Sequence, residues 1–510
     1  MLAKTHSFAI LGIEAYLIEV EVDISGGLPA TTIVGLADTS IRESRERVKS
    51  AIKNSGFNYP HGRVTISLAP CDLKKEGPGF DLAIAIAILA ATQQINTSTI
   101  KDYSFFSELS LDGSLRHTRA VLPVCMGASE TKLKNIVIAA KNLKETSIVT
   151  GIDIWGMNSL SQTIELLNNA SLFKPYAADK PIKEDDYLYP IDFSEVKGQP
   201  FAKRALEVAV SGGHNVAMIG PPGSGKTMLA KRIPTIMPDL NNKELLEITK
   251  IHSVCVAIPA GKGLVTRRPF RSPHHSVSNA ALAGGGTFPQ PGEISLAHKG
   301  VLFLDELPEF RRDALEALRQ PLEDGYICIS RAAVKSIIFP ASFMLVAAMN
   351  PCPCGYFTDP QKTCRCNPNK IIDYMGKISG PLLDRIDIHI QLPPVKYKEL
   401  VDTKDAESSS AIKNRVEKCR LVQNERFKEE QLCYNNATMN NKLIKRYCIL
   451  QDEAKELLKM AMTELGLSAR AYDKILKVSR TIADMGQSEE IAVEHICEAI
   501  QYRSLDKNIF

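Results

Sequence analysis

Two periods of hydrophobic and polar positions alternate along roughly the first 175 residues. Runs with a period of two predict strands at residues 15–22, 30–34, 63–68 and 135–139. A period of 3.6 predicts a helix that begins at a capping box of Ser40 and Glu43 and ends near Asn54. The basic positions of this helix, among them Arg47, would face solvent. Its buried face would carry Ile41, Ser44, Val48, Ala51 and Ile52.

A second apolar segment, from Leu82 to Thr92, has about half the ~20 residues that a membrane span needs. We therefore expect it to be a helix buried in a protein core. The N-terminus lacks the basic and apolar regions of a secretion signal. These features predict a cytoplasmic protein with no membrane partner.

The pattern changes twice along the chain. Residues 176–191 carry prolines and charges without periodicity, which is typical of a linker. Residues 192–400 are rich in glycine and motifs, and from 401 a polar tract with Ser408, Ser409 and Ser410 precedes helical patterns at 443–450, 453–465, 471–485 and 491–502. The sequence therefore predicts an α/β multidomain protein with an α/β domain at 1–175, an α/β core at 192–400 and a helical domain at 401–510.

The charge balance limits the classes of partner. The 510 residues include 62 basic and 58 acidic side chains, for a formal net charge of +4. A nucleic-acid site would therefore be a local patch or the lining of a pore.

A complete phosphate-loop motif follows the apolar run at 216–219 and precedes a helical pattern that starts at 227. Glycines allow backbone N–H groups to surround phosphates, and the positive end of the next helix adds to the attraction. Lys226 would reach the β- and γ-phosphates, and the Thr227 hydroxyl would bind Mg²⁺. The motif comprises Gly220, Pro221, Pro222, Gly223, Ser224, Gly225, Lys226 and Thr227.

A second apolar run, 301–304, ends at Asp305 and Glu306. An aspartate at the end of a strand beside a phosphate loop can complete the Mg²⁺ site, and the next glutamate can polarise the attacking water. Together the two motifs predict a nucleoside triphosphate hydrolase that uses Mg²⁺, and ATP as its nucleotide is what the family resemblance described below implies.

Four of the twelve cysteines cluster within fifteen residues, at Cys352, Cys354, Cys364 and Cys366. Four thiolates suit a closed tetrahedral structural Zn²⁺ site. The C-x-C spacing is tighter than the usual spacing in zinc sites, so a metal-free loop or a redox pair stays open. His274 and His275 are consecutive residues in a different segment of the chain, and we assign them no role.

The motifs and their order resemble the AAA+ ATPases, in particular the magnesium-chelatase-like branch and, within it, the ComM (YifB) family. The resemblance covers essentially the whole chain, and its most specific segments are 267–275 and 350–355. It implies that Asn350 is the sensor 1 residue that orients water. It also implies that Arg470 is a sensor 2 residue and that Arg385 is an arginine finger, which reaches the ATP of a neighbouring subunit. An arginine finger that acts between subunits implies a homo-oligomeric ring, usually a hexamer.

Two further segments resemble pore loops of related motors. Residues 282–296 resemble a helix-2 insertion, and residues 327–339 resemble a pre-sensor-1 hairpin. Arg331 and Lys335 near the hairpin tip would then contact DNA phosphates without reading sequence. An exposed turn with solvated charges is the equally weighted alternative.

The N-terminal region resembles the Lon protease domain, but without its catalytic pair. Glycine stands at the nucleophile position in the segment 76–81, and no lysine occurs between Lys101 and Lys132. Ser–Lys acyl transfer is therefore not available, and we expect an assembly or DNA-binding module.

The family resemblance implies a DNA motor that drives branch migration of recombination intermediates during natural transformation, acting on single-stranded and branched DNA. The main alternative is a chelatase-type motor that acts on a metal-insertion partner. An ATP-dependent protease is a third class, which the missing serine and lysine disfavour.

Overall fold

The structure is a computed structural model that describes residues 1–177, 189–255, 263–286, 289–331, 334–357, 359, 362–394, 406–430 and 433–503, without the side chains of residues 330–335. Residues 178–188 of the predicted linker lie outside these ranges. The same holds for the side chains of Arg331 and Lys335.

A seven-stranded mixed sheet forms the N-terminal region, in the order β3-β4-β2-β1-β5-β8-β9. Strands β1 and β2 pair antiparallel, whereas β5, β8 and β9 continue the sheet in parallel. The short strands β6 (Glu108–Leu109) and β7 (Leu115–Arg116) form a separate pair. The seven strands are β1 (Leu2–Leu11), β2 (Glu14–Ser25), β3 (Ala30–Val34), β4 (Arg63–Ala69), β5 (Tyr103–Phe106), β8 (Asn135–Ala139) and β9 (Asp153–Met157).

The helices of this region are α1 (Thr39–Asn54), α2 (Asp81–Ala91), α3 (Val121–Ser129) and α4 (Leu160–Asn168). Every residue of α2 is buried, which confirms the predicted core helix. The five predicted inner positions of α1 are buried as well. All four strands predicted from the period of two are present, with ends that differ by at most three residues.

Two details of α1 were predicted wrongly. The N-cap is Asp38, whose carboxylate accepts a hydrogen bond from the Ile41 N–H at 2.8 Å, rather than Ser40. A carboxylate two residues earlier competes successfully for the unpaired N–H groups of the first turn. Arg47 does not face solvent but pairs at 2.9 Å with the buried Asp81, because an enclosed carboxylate needs a cationic partner.

A five-stranded parallel sheet forms the central region, in the order β11-β14-β17-β10-β18. All residues of β10, β14 and β17 are buried, as expected for a parallel sheet covered on both faces. The carboxyl ends of these strands meet at one edge, where the candidate site lies. The strands are β10 (Val216–Ile219), β11 (Phe270–Arg271), β14 (Val301–Leu304), β17 (Met344–Met349) and β18 (Ile388–Gln391).

Two hairpins extend from this region. The first pairs β12 (Gly284–Gly285) with β13 (Gln290–Pro291), and the second pairs β15 (Tyr326–Arg331) with β16 (Val334–Pro340). The hairpin predicted at 327–339 is therefore confirmed. The helices of the region are α5 (Pro200–Gly212), α6 (Lys226–Ile236), α7 (Asn242–Cys255), α8 (Asn279–Ala283), α9 (Glu293–Leu296), α10 (Arg312–Glu316), α11 (Arg319–Asp324), α12 (Pro368–Met375) and α13 (Gly380–Leu383).

The C-terminal region is helical, as predicted. It contains α14 (Ser409–Arg426), α15 (Asn441–Tyr447), α16 (Asp452–Glu464), α17 (Ala469–Met485) and α18 (Val493–Gln501). The serine tract marks the start of α14, because Ser408 caps this helix and its side chain accepts a hydrogen bond from the Ala411 N–H. In the described part of the chain, no helix is long and apolar enough to cross a membrane.

A buried ion-pair network joins the C-terminal helices to the central sheet. Asp387, just before β18, accepts from His214 at 3.2 Å and pairs with Lys474 of α17. The Lys474 charge and the His214 hydrogen bond hold the pKa of Asp387 well below its usual range, against the effect of burial. The carboxylate therefore fixes α17 to the core.

The N-terminal region packs on the central region through an apolar cluster and polar contacts. Ile13, in the turn between β1 and β2, packs with Ile251 of α7 and with Ile337 and Phe339 of the second hairpin. Glu14 pairs with Lys250 at 2.7 Å. The stem of this hairpin therefore packs against the turn between β1 and β2 of the N-terminal sheet.

Candidate nucleotide site

The phosphate loop connects β10 to α6 at the carboxyl edge of the parallel sheet. Gly223 and Gly225 have positive φ angles of 81° and 90°, which glycine adopts without steric cost. Lys226 Nζ donates to the carbonyl oxygens of Gly220 at 2.7 Å and Pro221 at 3.0 Å. Its burial lowers the pKa of the lysine. The Lys226 ammonium is therefore bound by carbonyl oxygens of the loop itself. The phosphate oxygens of a nucleotide can replace these carbonyl oxygens as its partners.

Two residues that are far from the phosphate loop in the sequence contact Lys226 and Thr227. Asn350 follows β17, and its Oδ1 accepts from Lys226 Nζ at 3.2 Å. The Thr227 hydroxyl donates to Asp305 Oδ2 at 2.8 Å. A hydroxyl and a carboxylate at this separation are the oxygen ligands that Mg²⁺ prefers, so the residues fit this ion. The structure therefore brings the phosphate loop, Asp305 and Asn350 into one site.

Glu306 adopts an unusual backbone conformation beside this site. Its φ of 55° lies in the left-handed region, which costs free energy for a residue other than glycine. The side chain is half exposed, and its Oε2 lies 3.2 Å from His275 Nδ1. The ring of His275 packs on that of His274, with centroids 4.0 Å apart. Sequence analysis assigned no role to these histidines, and no local pattern indicated the contact.

The loop that carries His275 is fixed by two arginines. Arg271 makes two hydrogen bonds of 2.6 Å to the carboxylate of Glu293. Arg268 donates to the carbonyl oxygens of Pro238 at 2.6 Å and Lys299 at 2.7 Å. The basic motif at 267–275 therefore includes structural anchors that position His275.

The two other predicted arginines lie apart from this cluster. Arg385 pairs with Glu323, and its Nη1 donates to the Pro381 carbonyl at 2.5 Å. Arg470 pairs with Asp384 at 2.9 Å and has an exposed side chain. Among the described residues, the polar partners of both arginines therefore belong to α11 and to α13 or its C-cap rather than to the phosphate loop.

The four predicted cysteines lie together beside the nucleotide site. Cys352 Sγ is 3.3 Å from Cys354 Sγ and 3.7 Å from Cys364 Sγ, and all four sulfur atoms lie within 4.8 Å of one another. A tetrahedral Zn²⁺ with ligand distances of about 2.3 Å separates its sulfur atoms by about 3.8 Å, so the cluster fits the ion. Gly355 touches the phosphate loop, since a Cβ there would lie 2.5 Å from Pro222 Cδ.

Comparison with known proteins agrees with this arrangement. Family models described as magnesium chelatase, subunit ChlI, match residues 192–400, and related models of the subunit match residues 20–142 and, for its C-terminal part, 406–503. The chain is 44% identical to competence protein ComM of Haemophilus influenzae and 44% identical to the uncharacterized protein YifB of Escherichia coli. Both alignments cover 99% of this chain and 98% of the relative. The uncharacterized protein Mb2921c of Mycobacterium bovis is 38% identical, over 98% of both chains. The chain therefore belongs to the ComM/YifB family of magnesium-chelatase-like proteins.

Proposed function

We propose that the chain is an ATP hydrolase whose site lies at the carboxyl edge of the parallel sheet. The observation that carries this proposal is the meeting of Lys226, Thr227, Asp305 and Asn350 within hydrogen-bonding distance. Thr227 and Asp305 would hold Mg²⁺, which neutralises phosphate charge when it is bound. Lys226 would exchange its carbonyl partners for phosphate oxygens.

Glu306 would accept the proton of the attacking water, and Asn350 would orient that water. The exposed half of the Glu306 side chain leaves the carboxylate accessible from solvent. Proton transfer by a positioned carboxylate contributes about 10²–10⁴-fold to such reactions. Replacement of Glu306 by glutamine should therefore retain ATP binding and remove most of the turnover.

We further propose a homo-oligomeric ring, a hexamer by resemblance to related ATPases. Within the described residues, no arginine forms a hydrogen bond or ion pair with the phosphate loop or with the acidic residues beside it. Arg385 and Arg470 instead bind groups of α13 and its C-cap. A transition state with negative charge on the phosphoryl oxygens gains from an arginine supplied by another subunit. Rearrangement of Arg385 from Glu323 to a neighbour's ATP would complete each site.

In this proposal, ATP hydrolysis is coupled to movement along DNA. This movement would drive branch migration of recombination intermediates in natural transformation. Support comes from the name of the relative from Haemophilus influenzae, competence protein ComM. The β15–β16 hairpin provides an element that can enter a central pore, with Arg331 and Lys335 as phosphate contacts. Such contacts bind DNA without reading its sequence.

The proposal is tested with labelled three-strand and four-way DNA junctions, incubated with the full chain and ATP. The wild-type chain should resolve both junctions, and Glu306→Gln should resolve neither while it still binds ATP and DNA. Junctions that stay intact, together with an ATPase rate that no DNA alters, would refute the DNA motor and leave the hydrolase.

A chelatase-type motor is the second candidate, and the descriptions of the three matching family models favour it. The nucleotide chemistry is the same in both cases. Stimulation of the ATPase by a metal-inserting partner protein, and not by DNA, would decide for this candidate.

For the N-terminal residues 1–175 we propose a Lon-protease-like module that has no peptidase activity. At the nucleophile position, a Cβ on Gly79 would lie 2.4 Å from the Phe106 ring, so the packing leaves no space for a serine side chain. The contacts of Ile13 with Ile337 and Phe339 suggest a mechanical role instead. The module would support the hairpin stem.

We also propose that the four-cysteine cluster holds a structural Zn²⁺. Four thiolates fill a tetrahedral shell and leave no position for water, so a catalytic role is not expected. Because Cys352 lies two residues after Asn350 and Gly355 contacts Pro222, the ion would rigidify one wall of the nucleotide site.

A further inference from the structure

A cavity of about 320 Å³ lies between the central region and the C-terminal helices. Gly213, Gly300 and Met344 line it from the central region, at the positions where β10, β14 and β17 begin. Arg420 of α14 and the nearby Tyr434 line it from the C-terminal side. The cavity therefore lies at the amino ends of the parallel strands.

This position separates the cavity from the nucleotide site. Five residue steps along β14 lead from Gly300 at the cavity to Asp305 at the nucleotide site. At about 3.3 Å per residue, the two edges of the sheet are about 16 Å apart. A ligand in the cavity would not touch the phosphate loop.

The carboxylates that line the cavity are already paired. Asp239 pairs with Lys413 at 2.6 Å, and Glu244 pairs with Arg268 at 3.1 Å. Glu247 lies 3.1 Å from the His298 ring and pairs with Lys299 at 3.9 Å. Among the described residues, these acids leave Lys243 and Arg420 of the lining without an ion pair.

Among the described residues, Arg420 forms no ion pair with a carboxylate. Its Nη2 donates to the Val210 carbonyl at 2.9 Å, but its Nε is enclosed and has no hydrogen-bond partner among the described residues. Burial and the charge of Arg268 lower the pKa of Arg420 to about 10, so it stays protonated at neutral pH. A guanidinium in this state favours an anion beside it.

Other groups of the lining suit the same ligand. Lys243 contributes a second positive charge. Lys299, which pairs with Glu247 at 3.9 Å, has its Nζ 4.9 Å from the centre of the Tyr434 ring. The volume is at the lower end of small-molecule sites, which span about 300–1,000 Å³. Guanidinium and ammonium groups together are typical of phosphate recognition.

We propose that this cavity binds a small phosphate-bearing anion, whose oxygens accept hydrogen bonds from Arg420 and lie beside Lys243 and Lys299. The ligand bridges the central region and the C-terminal helices, since residues of both line the cavity. This site is independent of the proposed hydrolase and DNA activities.

The test is calorimetric titration of the full chain with inorganic pyrophosphate at constant ionic strength. A Lys226→Ala background removes binding at the phosphate loop. We expect saturable binding, weakened at least about tenfold by Arg420→Gln, because a charged hydrogen bond is lost. Lys418→Gln is the matched control, since Lys418 is exposed on the same helix, and it should bind like the background. Absence of saturable binding, or equal binding by Arg420→Gln, would overturn the proposal.

Thermal unfolding of the ligand-free chain provides a second measurement. Arg420→Met should unfold at the same temperature as the parent or higher, because it removes an uncompensated charge. A clear decrease would identify a structural arginine and contradict the proposal. Loss of single-stranded oligonucleotide binding in Arg420→Gln, with pyrophosphate binding unchanged, would also contradict it.

Discussion

His275 Nδ1 lies 3.2 Å from Oε2 of Glu306. The histidine belongs to a loop held by the Arg271–Glu293 pair, and the glutamate follows β14. This contact restricts the direction of the carboxylate that we propose as the base. We therefore propose His275 as a positioning residue, which acts through Glu306.

Replacement of His275 by alanine should lower the kcat of ATP hydrolysis about tenfold and leave KM nearly unchanged. The base would lose its orientation, while the phosphate-binding groups stay in place. His275→Gln should recover much of kcat, because an amide can also donate to the carboxylate. Steady-state ATPase assays measure both constants, with His274→Ala as the neighbouring control. A rise in KM at constant kcat would show that the histidine serves binding instead.

Mixing two inactive variants tests whether Arg385 acts between subunits. Lys226→Ala and Arg385→Ala rings should each hydrolyse ATP at a few per cent of the wild-type rate or less, since an arginine finger contributes about 10³–10⁵-fold. In rings assembled from equal amounts, about a quarter of the junctions pair an intact phosphate loop with an intact arginine. ATPase activity should then recover to roughly that fraction. Mixtures that stay inactive would show that Arg385 serves its own subunit.

The cysteine cluster predicts one bound Zn²⁺ per chain, measured by elemental analysis of the purified protein. Cys352→Ser should lose most of this zinc and lower the melting temperature by several degrees, because ligand binding stabilises the folded state. Cys71→Ser is the control, since Cys71 is exposed and lies outside the cluster. Zinc-free wild-type protein that melts normally would favour the metal-free loop.

Glu145 predicts a pH-dependent stability. Its carboxylate is buried against Ser253 of α7, and burial raises its pKa to about 7. A raised pKa means that the folded state prefers the protonated form, so this contribution to stability is present below about pH 4.5 and lost as pH rises through 7. Glu145→Gln keeps the size and polarity of the side chain and removes the charge. It should raise the free energy of unfolding by about 2 kcal/mol more at pH 8 than at pH 5.

Calorimetry at the two pH values measures this difference. Glu14→Gln is the control, because Glu14 is exposed and pairs with Lys250 at the same interface. An equal effect of Glu145→Gln at both pH values would show that the carboxylate does not titrate in this range.

Much of the local structure followed from the sequence. The strands at 216–219 and 301–304 lie where the apolar runs predict them, and α2 is buried throughout, as its run of apolar residues indicates. Such elements depend on neighbours a few residues apart, which the hydrophobic period records directly. The N-cap of α1 shows the limit of local reasoning, because Ser40 and Glu43 have the spacing of a capping box while the structure uses the carboxylate of Asp38.

The sequence by itself determined the phosphate loop, the acidic pair Asp305–Glu306 and the spacing of the four cysteines, because each is a short motif whose chemistry depends on adjacent residues. The tertiary structure decided which distant side chains meet. His275 contacts Glu306, Ile13 packs against Ile337 of the hairpin, and Arg420 Nε is enclosed with no hydrogen-bond partner in the described part of the chain. These contacts join segments far apart in the chain, and no local period or spacing specifies them, because packing of whole elements sets their distances.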